Sequence, residues 1–294
     1  MLSILIPTYN YDCSSLVYDL DTMCSRAGIE YEIIVGNDGS TTNMQNLKNL
    51  SQTLENFRFL DFKENRGRSI IRNTLASEAK YEKLLFIDSD MKVYKTDFIQ
   101  LYIKENAPIV AGGIRVLEDK NPIYILHKKY EKNRSTNIAT TGNLLVRKDV
   151  FNEIRFIESV KKYGYEDIIF THRLEKMYGI KFIYNPLIHN GPIPTCDFIN
   201  RLNESTEVLV DLYRSDKYHK DIIESSKLLR TFLKIRRFKG IYLLWFKMSK
   251  KIIIQQLKSK NPSMFLMDLY KLGLLCEYSK LSLKKTQKQK TSMS

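Results

Sequence analysis

Short unbroken apolar runs alternate along this chain with stretches whose apolar residues recur at helical spacing. Leu2 to Ile6, Glu32 to Val35, Phe57 to Leu60 and Leu84 to Ile87 read as strands. Apolar runs of that length mark strands buried on both faces, the habit of a parallel sheet covered by helices. Between them Ser14 to Arg26 (ended by Gly28), Asn43 to Thr53 and Ile70 to Lys80 read as helices. Pro7 is expected to stop the first strand. Strand, helix, strand, helix with short links predicts a doubly wound α/β domain with right-handed crossovers.

The second half is less regular. Ala107 to Val116 contains Gly112-Gly113, where a strand is expected to come close to another group. Tyr124 to Arg134, polar, basic and Tyr-rich, reads as a mobile loop with His127 on its surface. Leu144 to Val146 is another apolar run, and a helix is expected from Glu166 and Asp167 through His172 to Tyr178, closed by Gly179. Acids in such a first turn are stabilised by free amides whether or not they do chemistry. Lys181 to Tyr184 reads as a strand, ahead of Asn185-Pro186 and His189-Asn190-Gly191-Pro192.

Three polar clusters follow strands: Thr8 to Asn10, Asp38 to Ser40, and Asp88-Ser89-Asp90. Ligands of open α/β sheets bind outside the carboxyl ends of strands, so the three should face one crevice, suited to a nucleotide-type ligand. On an extended segment Asp88 and Asp90 point the same way, and their charges repel unless a cation lies between them. A plain acidic turn capping the next helix is the alternative. No Gly-x-Gly-x-x-Gly follows the first strand and no Walker phosphate loop is present.

Charge is unevenly placed. Of the 47 basic residues, 17 lie from Lys227 onward beside only Asp268 and Glu277, so that stretch carries +15 of a net +14 and the first 226 residues carry −1. A near-neutral body does not suit a polyanion such as nucleic acid. The basic stretch reads as an amphipathic helix from Asp221 to about Lys260, broken at Asn261-Pro262, with Met264 to Leu275 as a second helix and 281–294 disordered. Lying on an anionic membrane surface, packing on the body and forming a homodimer are its three readings. Cys13, Cys24, Cys196 and Cys276 are scattered without ligand-like pairing, as free thiols of a reducing compartment. The N-terminus reads as a strand and not a signal peptide, and no run is long enough to span a bilayer. A cytoplasmic protein, peripheral on the inner face of the cell membrane, is expected.

An ordered set of motifs carries a resemblance. Ile4-Leu5-Ile6-Pro7-Thr8-Tyr9-Asn10, Asn37-Asp38-Gly39-Ser40-Thr41, Asn65-Arg66-Gly67-Arg68-Ser69 with Arg72-Asn73, Phe86-Ile87-Asp88-Ser89-Asp90, Gly142-Asn143-Leu144 and Gly164-Tyr165-Glu166-Asp167 occur in the order and spacing of family 2 of the glycosyltransferases. The chain resembles the bacterial surface-polysaccharide type of these inverting enzymes. The resemblance implies a GT-A fold: a Rossmann-like, mostly parallel central sheet flanked by helices, here with a C-terminal helical extension. It implies a catalytic domain at 1–220, with a nucleotide-sugar-binding half at about 1–105, an acceptor-binding and catalytic half at about 106–220, and the extension at 221–280. It also implies transfer of a sugar from a nucleotide-sugar, UDP-linked by analogy, to a hydroxyl of a glycan or lipid-linked acceptor.

Residue roles follow from the same likeness. Thr8 and Asp38 hold the base and Tyr9 walls its pocket. Arg72 lies beside nucleotide and sugar, Asp88 contacts the ribose side, and Ser89 belongs to the same donor-binding motif. Asp90 binds Mn²⁺ or Mg²⁺ and His189 completes the metal site. Asp167 is the catalytic base and Glu166 its acidic neighbour. Many relatives have a further aspartate where this chain has Met91. Such a base takes the acceptor's proton on the sugar face opposite the diphosphate, while a hard cation offsets the charge of the leaving group. Two other readings stand beside this one. A sugar nucleotidyltransferase would want a glycine-rich basic loop after the first strand, which Pro7-Thr8-Tyr9-Asn10 is not. A non-catalytic nucleotide-sugar-binding scaffold would have no need of Asp38, Asp90 and Asp167 together.

Overall fold

Each strand predicted in the first part of the chain forms and extends beyond its apolar run. The computed structural model describes residues 1–116, 121–134, 138–159 and 164–291. Along it run β1 (Leu2–Thr8), α1 (Ser14–Arg26), β2 (Tyr31–Asp38), α2 (Gln45–Thr53), β3 (Phe57–Phe62), α3 (Arg68–Glu78), β4 (Lys83–Ile87), β5 (Met91–Lys92) and α4 (Phe98–Ile103). Then come β6 (Ile109–Ala111), β7 (Ile114–Val116), α5 (Ile125–Arg134), β8 (Asn143–Arg147), α6 (Lys148–Glu153), α7 (Glu166–Tyr178), β9 (Lys181–Phe182) and β10 (Leu187–His189). The rest is helical: α8 (Thr195–Arg214), α9 (His219–Ser225), α10 (Lys227–Ile235), α11 (Lys239–Leu257) and α12 (Met264–Thr291).

Two compact units divide the chain. One comprises Met1–Glu118, Lys132–Lys161 and Phe170–Gly191, and the other Asp119–Glu131, Lys162–Ile169 and Pro192–Ser294. The first is built on a seven-stranded sheet of order β3-β2-β1-β4-β8-β6-β9. Period-two alternation sorts its strands between two cores. Leu2, Ile4, Ile6, Ile33, Val35, Leu85 and Ile87 enter one, with Leu16, Val17 and Leu20 of α1. Leu5, Ile34, Leu84 and Phe86 enter the other, with Ile71 and Leu75 of α3 and the aromatic stack of Phe151, Phe156 and Phe170. Continuous apolar runs were required because both faces are covered.

The sheet is mostly parallel, as expected, but not purely so: six strands run one way, β6 pairing in parallel with β9, and β8 alone is reversed. β1, β2, β3 and β4 pair in parallel, but β8 runs antiparallel to both β4 and β6. An apolar run such as Leu144 to Val146 carries no information on its direction. A second sheet of order β5-β10-β7 stands apart from the first. Pro7 does not end β1. Pairing with β4 stops at Leu5↔Phe86 while pairing with β2 continues to Thr8↔Asn37, so the prolyl nitrogen withholds no bond from β4.

In the second unit, the stretch read as a mobile loop is ordered. Pro122–Tyr124 forms a 3₁₀ turn capped by Asn121, whose Oδ1 accepts from the Ile123 amide at 3.1 Å, and α5 follows. His127, expected at the surface, is buried. Its Nδ1 accepts from the Ile193 amide at 3.2 Å and its ring meets Phe198 at 4.9 Å. The single helix expected from Asp221 to about Lys260 is broken at Ser226, whose Oγ caps α10 by accepting from the Leu229 amide at 3.2 Å, and at a 3₁₀ turn over Arg236–Phe238. α12 continues to Thr291, through most of the stretch read as disordered. Among the described residues no helix is long and apolar enough to cross a membrane.

Three of the four free thiols, Cys13, Cys24 and Cys276, are buried, and Cys196 is exposed. Burial pushes Cys13 and Cys24 up to about 12 and Cys276 to about 11. Alkylation of the native protein near pH 8 is therefore expected to label Cys196 alone, with all four labelled in denaturant; mass spectrometry of the digested protein checks this.

Candidate active site

The topological switch point of the large sheet lies between β1 and β4, because the chain leaves β1 toward β2 on one side and returns to β4 on the other. Thr8, Asp38 and Asp88 stand at the carboxyl ends of β1, β2 and β4. Beyond Thr8, whose Oγ1 donates to the Tyr11 carbonyl at 2.7 Å, Tyr9 is half-exposed. Asn10 takes a left-handed conformation (φ 53°) that few side chains tolerate. Its Oδ1 accepts from the amides of Thr41 at 2.7 Å and Thr42 at 3.3 Å, and its own amide donates to Ser40 Oγ at 2.7 Å. The loops after β1 and β2 are thus tied together.

Asp38 does not brace a turn of its own, because β2 continues through Asn37 and Asp38. Its buried carboxylate spans to the loop before α3, one oxygen accepting from the Arg66 amide at 2.8 Å and the other from the Gly67 amide at 2.9 Å. Gly39 (φ 71°) permits that approach, since a Cβ there would lie 2.4 Å from the Glu64 carbonyl carbon. The loop delivers a group of donors to the start of α3. Arg66 Nε and Nη2, Ser69 Oγ, and Arg72 Nε and Nη1 are buried with no hydrogen-bond partner. Buried donors left unpaired at a helix N-terminus are costly unless a ligand supplies acceptors.

Arg72 is 2% exposed and gives Nη2 to Asp88 Oδ1 at 2.6 Å. Burial pushes the Asp88 carboxyl up, but the charges of Arg72 and Arg68, the Arg72 hydrogen bond and His189 outweigh it and hold the carboxyl below its ordinary value. Gly142 backs the pair: a Cβ there would sit 2.9 Å from Asp88 Oδ2. Asp88, Ser89 and Asp90 form a turn closed by the Met91 amide on the Asp88 carbonyl at 3.2 Å, not an extended segment with two carboxylates side by side. Each aspartate accordingly has its own cationic or imidazole partner. Asp90 Oδ2 meets His189 Nε2 at 2.9 Å, and the Asn190 amide donates to the Asp90 carbonyl at 2.8 Å. The antiparallel pairing of β10 with β5, His189 opposite Met91, brings these residues together.

Two oxygen or nitrogen ligands of an octahedral cation, each about 2.1 Å from it, lie about 3.0 Å apart. Asp90 Oδ2 and His189 Nε2 stand at 2.9 Å, a spacing that meets this requirement and is equally that of the hydrogen bond between them. Gly191 leaves room there, since a Cβ would lie 2.7 Å from the same Asp90 oxygen. In the second unit, Glu166 and Asp167 occupy the first turn of α7. Glu166 is buried and accepts from the Gly164 amide at 3.0 Å, holding a turn in which Gly164 (φ 122°) and Tyr165 (φ 69°) both have positive φ. Asp167 is half-buried and accepts from the Ile168 amide at 2.8 Å.

Patterning missed the frame behind these residues. Asn143, fully buried, accepts from Tyr102 Oη at 2.6 Å and donates to the carbonyls of Gly113 at 2.7 Å and Asn185 at 2.9 Å. Gly112 is the point of close approach in this frame, a Cβ there falling 2.2 Å from Tyr102 Oη. Asn143 stood in the Gly142-Asn143-Leu144 motif, but nothing in the sequence tied it to Tyr102, Gly113 or Asn185. Asn143→Ala is expected to cost on the order of 3 kcal/mol by leaving these groups buried and unpaired, read as a lower midpoint in denaturant unfolding.

Residues 3–168 match the family model of Glycosyl transferase family 2. The chain is 28% identical over 171 residues to poly-beta-1,6-N-acetyl-D-glucosamine synthase of Staphylococcus epidermidis, covering 57% of this chain and 33% of that protein. It is 34% identical over 151 residues to chondroitin synthase of Escherichia coli, covering 49% of this chain and 22% of that protein. The chain therefore spans a third or less of the length of these relatives. Among solved structures, mannosyltransferase PcManGT from Pyrobaculum calidifontis, in complex with GDP-Man and Mn2+, aligns over 95% of this chain and 86% of its own with a TM-score of 0.57 at 13% identity, a likeness of fold. With a match that takes in most of β1 to the start of α7, more than half of its length, the chain belongs to glycosyl transferase family 2.

Proposed function

We propose that this protein is an inverting, metal-dependent glycosyltransferase that moves a sugar from a nucleotide-sugar, UDP-linked, to a hydroxyl of a glycan or lipid-linked acceptor. One observation carries the reading: the unpaired buried donors of Arg66, Ser69 and Arg72 gather at the start of α3, and Asp38 ties the loop before that helix to the end of β2. A diphosphate would offer these unpaired nitrogens acceptors of opposite charge, which a neutral ligand would not. Thr8, Tyr9 and Asp38 line the base end in this reading, and Asp88 and Ser89 face the ribose. Asp90 and His189 would hold the cation. When bound, Mn²⁺ or Mg²⁺ would offset negative charge on the departing diphosphate.

Asp167 takes the proton from the acceptor hydroxyl, and Glu166 fixes the turn from which Asp167 projects. The catalytic domain is assigned to 1–220, donor half first, and 221–280 is an extension. The named relatives, one a poly-N-acetyl-D-glucosamine synthase, make UDP-GlcNAc the first donor to try. The test is release of free nucleotide from a panel of nucleotide-sugars, with Mn²⁺, with Mg²⁺ and with chelator. Slow metal-dependent turnover of one donor, reduced about 10²-fold or more in Asp90→Ala, is the expected result. Turnover that is indifferent to chelator, or unchanged in that variant, would remove the cation from the account. Tight donor binding without turnover, even with an acceptor mixture, would favour the scaffold reading.

A further inference from the structure

We infer that α11 seats this protein on an anionic lipid surface, an interaction independent of the chemistry proposed above. α11 has two unlike faces. Leu243, Phe246, Ile253 and Leu257 are buried. This side packs on α12: Gly273 lies so close that a Cβ would fall 2.2 Å from the Phe246 ring, Tyr242 Oη donates to the Leu269 carbonyl at 2.9 Å, and Lys250 pairs with Glu277 at 2.9 Å. The opposite side is apolar as well, yet open. Phe238, just before the helix, and Ile241, Leu244, Trp245, Met248 and Ile252 are between 42% and 77% exposed. Spaced three and four apart, they form one continuous stripe. A stripe of that kind is more than the isolated exposed apolar residues any surface carries.

Charge chooses the occupant. Lys227 to Ser263 contains eleven Lys or Arg and no acid. Lys247, Lys251 and Lys258 are exposed and, at helical spacing, run along one edge of the stripe. A second copy docked stripe to stripe would bring in more lysines and no acid from the same stretch to answer them, and in an antiparallel pair would set the two lysine edges against one another. An anionic bilayer answers both features, taking the apolar side chains at the acyl boundary and the lysines among its headgroups. With one face packed on α12 and the other open along its length, α11 would lie in the surface plane.

The chain's single tryptophan, Trp245, lies in the stripe and reports the contact directly. The full-length protein is mixed with vesicles of phosphatidylcholine alone or with phosphatidylglycerol, and Trp245 emission and co-flotation are followed. Expected are a blue shift and flotation with the anionic vesicles, much weaker with neutral ones and reduced by salt. Ile241→Ser/Met248→Ser/Ile252→Ser and Lys247→Gln/Lys251→Gln/Lys258→Gln should each weaken partitioning about tenfold or more. All six sites are exposed, so unchanged thermal melts should accompany the loss. No shift or flotation with either vesicle overturns the proposal, as does equal, salt-insensitive binding to both. Self-association that the apolar triple variant abolishes, without vesicle binding, would make the occupant a second copy and overturn it too.

Discussion

Asp167→Asn is expected to lower kcat by about 10²–10⁴-fold, the usual share of a positioned general base. Its melting temperature and donor affinity should stay near those of the wild type. The amide keeps an oxygen for the Ile168 amide, which Asp167 accepts from at 2.8 Å, so the first turn of α7 is retained while the proton acceptor is lost. Glu166→Gln separates chemistry from support. Glu166 is buried on the Gly164 amide, beside two residues of positive φ, so its loss should first appear as lower stability. Initial rates with donor and acceptor, together with thermal melts of both variants, decide the matter. Equal turnover by Asp167→Asn and wild type would remove Asp167 as the base and leave the donor site standing.

Arg72→Met should destabilise the protein by about 3–5 kcal/mol, because it strands Asp88 without its 2.6 Å partner beneath Gly142. Asp88→Asn should also be costly, since it leaves a guanidinium at 2% exposure without its countercharge. The double variant should recover much of the loss, and a double-mutant cycle in denaturant measures the coupling. Arg72→Met also removes two of the unpaired donors, so donor affinity measured by calorimetry should fall with it. The pH dependence has a definite sign. Although burial opposes it, the carboxyl of Asp88 is held below its ordinary value by Arg72, Arg68 and His189, so the folded state binds its proton less readily than the unfolded chain. The pair's contribution is complete above the unfolded carboxylate value of about 3.9 and disappears as pH falls through the lower folded value. Arg72→Met should flatten that acid limb of the unfolding curve. An unchanged acid limb, or additive single effects, would show that the pair is not coupled.

Much of the first part of the chain, β1 to β4, was legible from the sequence alone. Apolar runs marked β1 to β4, helical spacing and Gly28 bounded α1, and polar residues where strands run out picked Thr8, Asp38 and Asp88. These signals are local, since a strand's period and a helix's breaker act within a few residues. That is also why the motifs that identify the family survive as short, ordered pieces. The same locality misled elsewhere. Tyr-rich polarity suggested a loop at α5, where a cap at Asn121 starts a helix, and lysines beside His127 hid its burial.

What the sequence by itself determined was the order of elements, their buried sides and the residue types at the strand ends. Only the tertiary structure decided which distant groups meet. Asp38 spends both oxygens on amides nearly thirty residues away. His189 reaches Asp90 through β10 and β5, β8 enters the sheet reversed, and Asn143 joins Tyr102, Gly113 and Asn185. Strand direction and long-range pairing arise from closing loops of many residues around a shared core. The physical reason is that this closure is settled by collective packing and the pairing of buried polar groups, which no window of neighbouring residues contains.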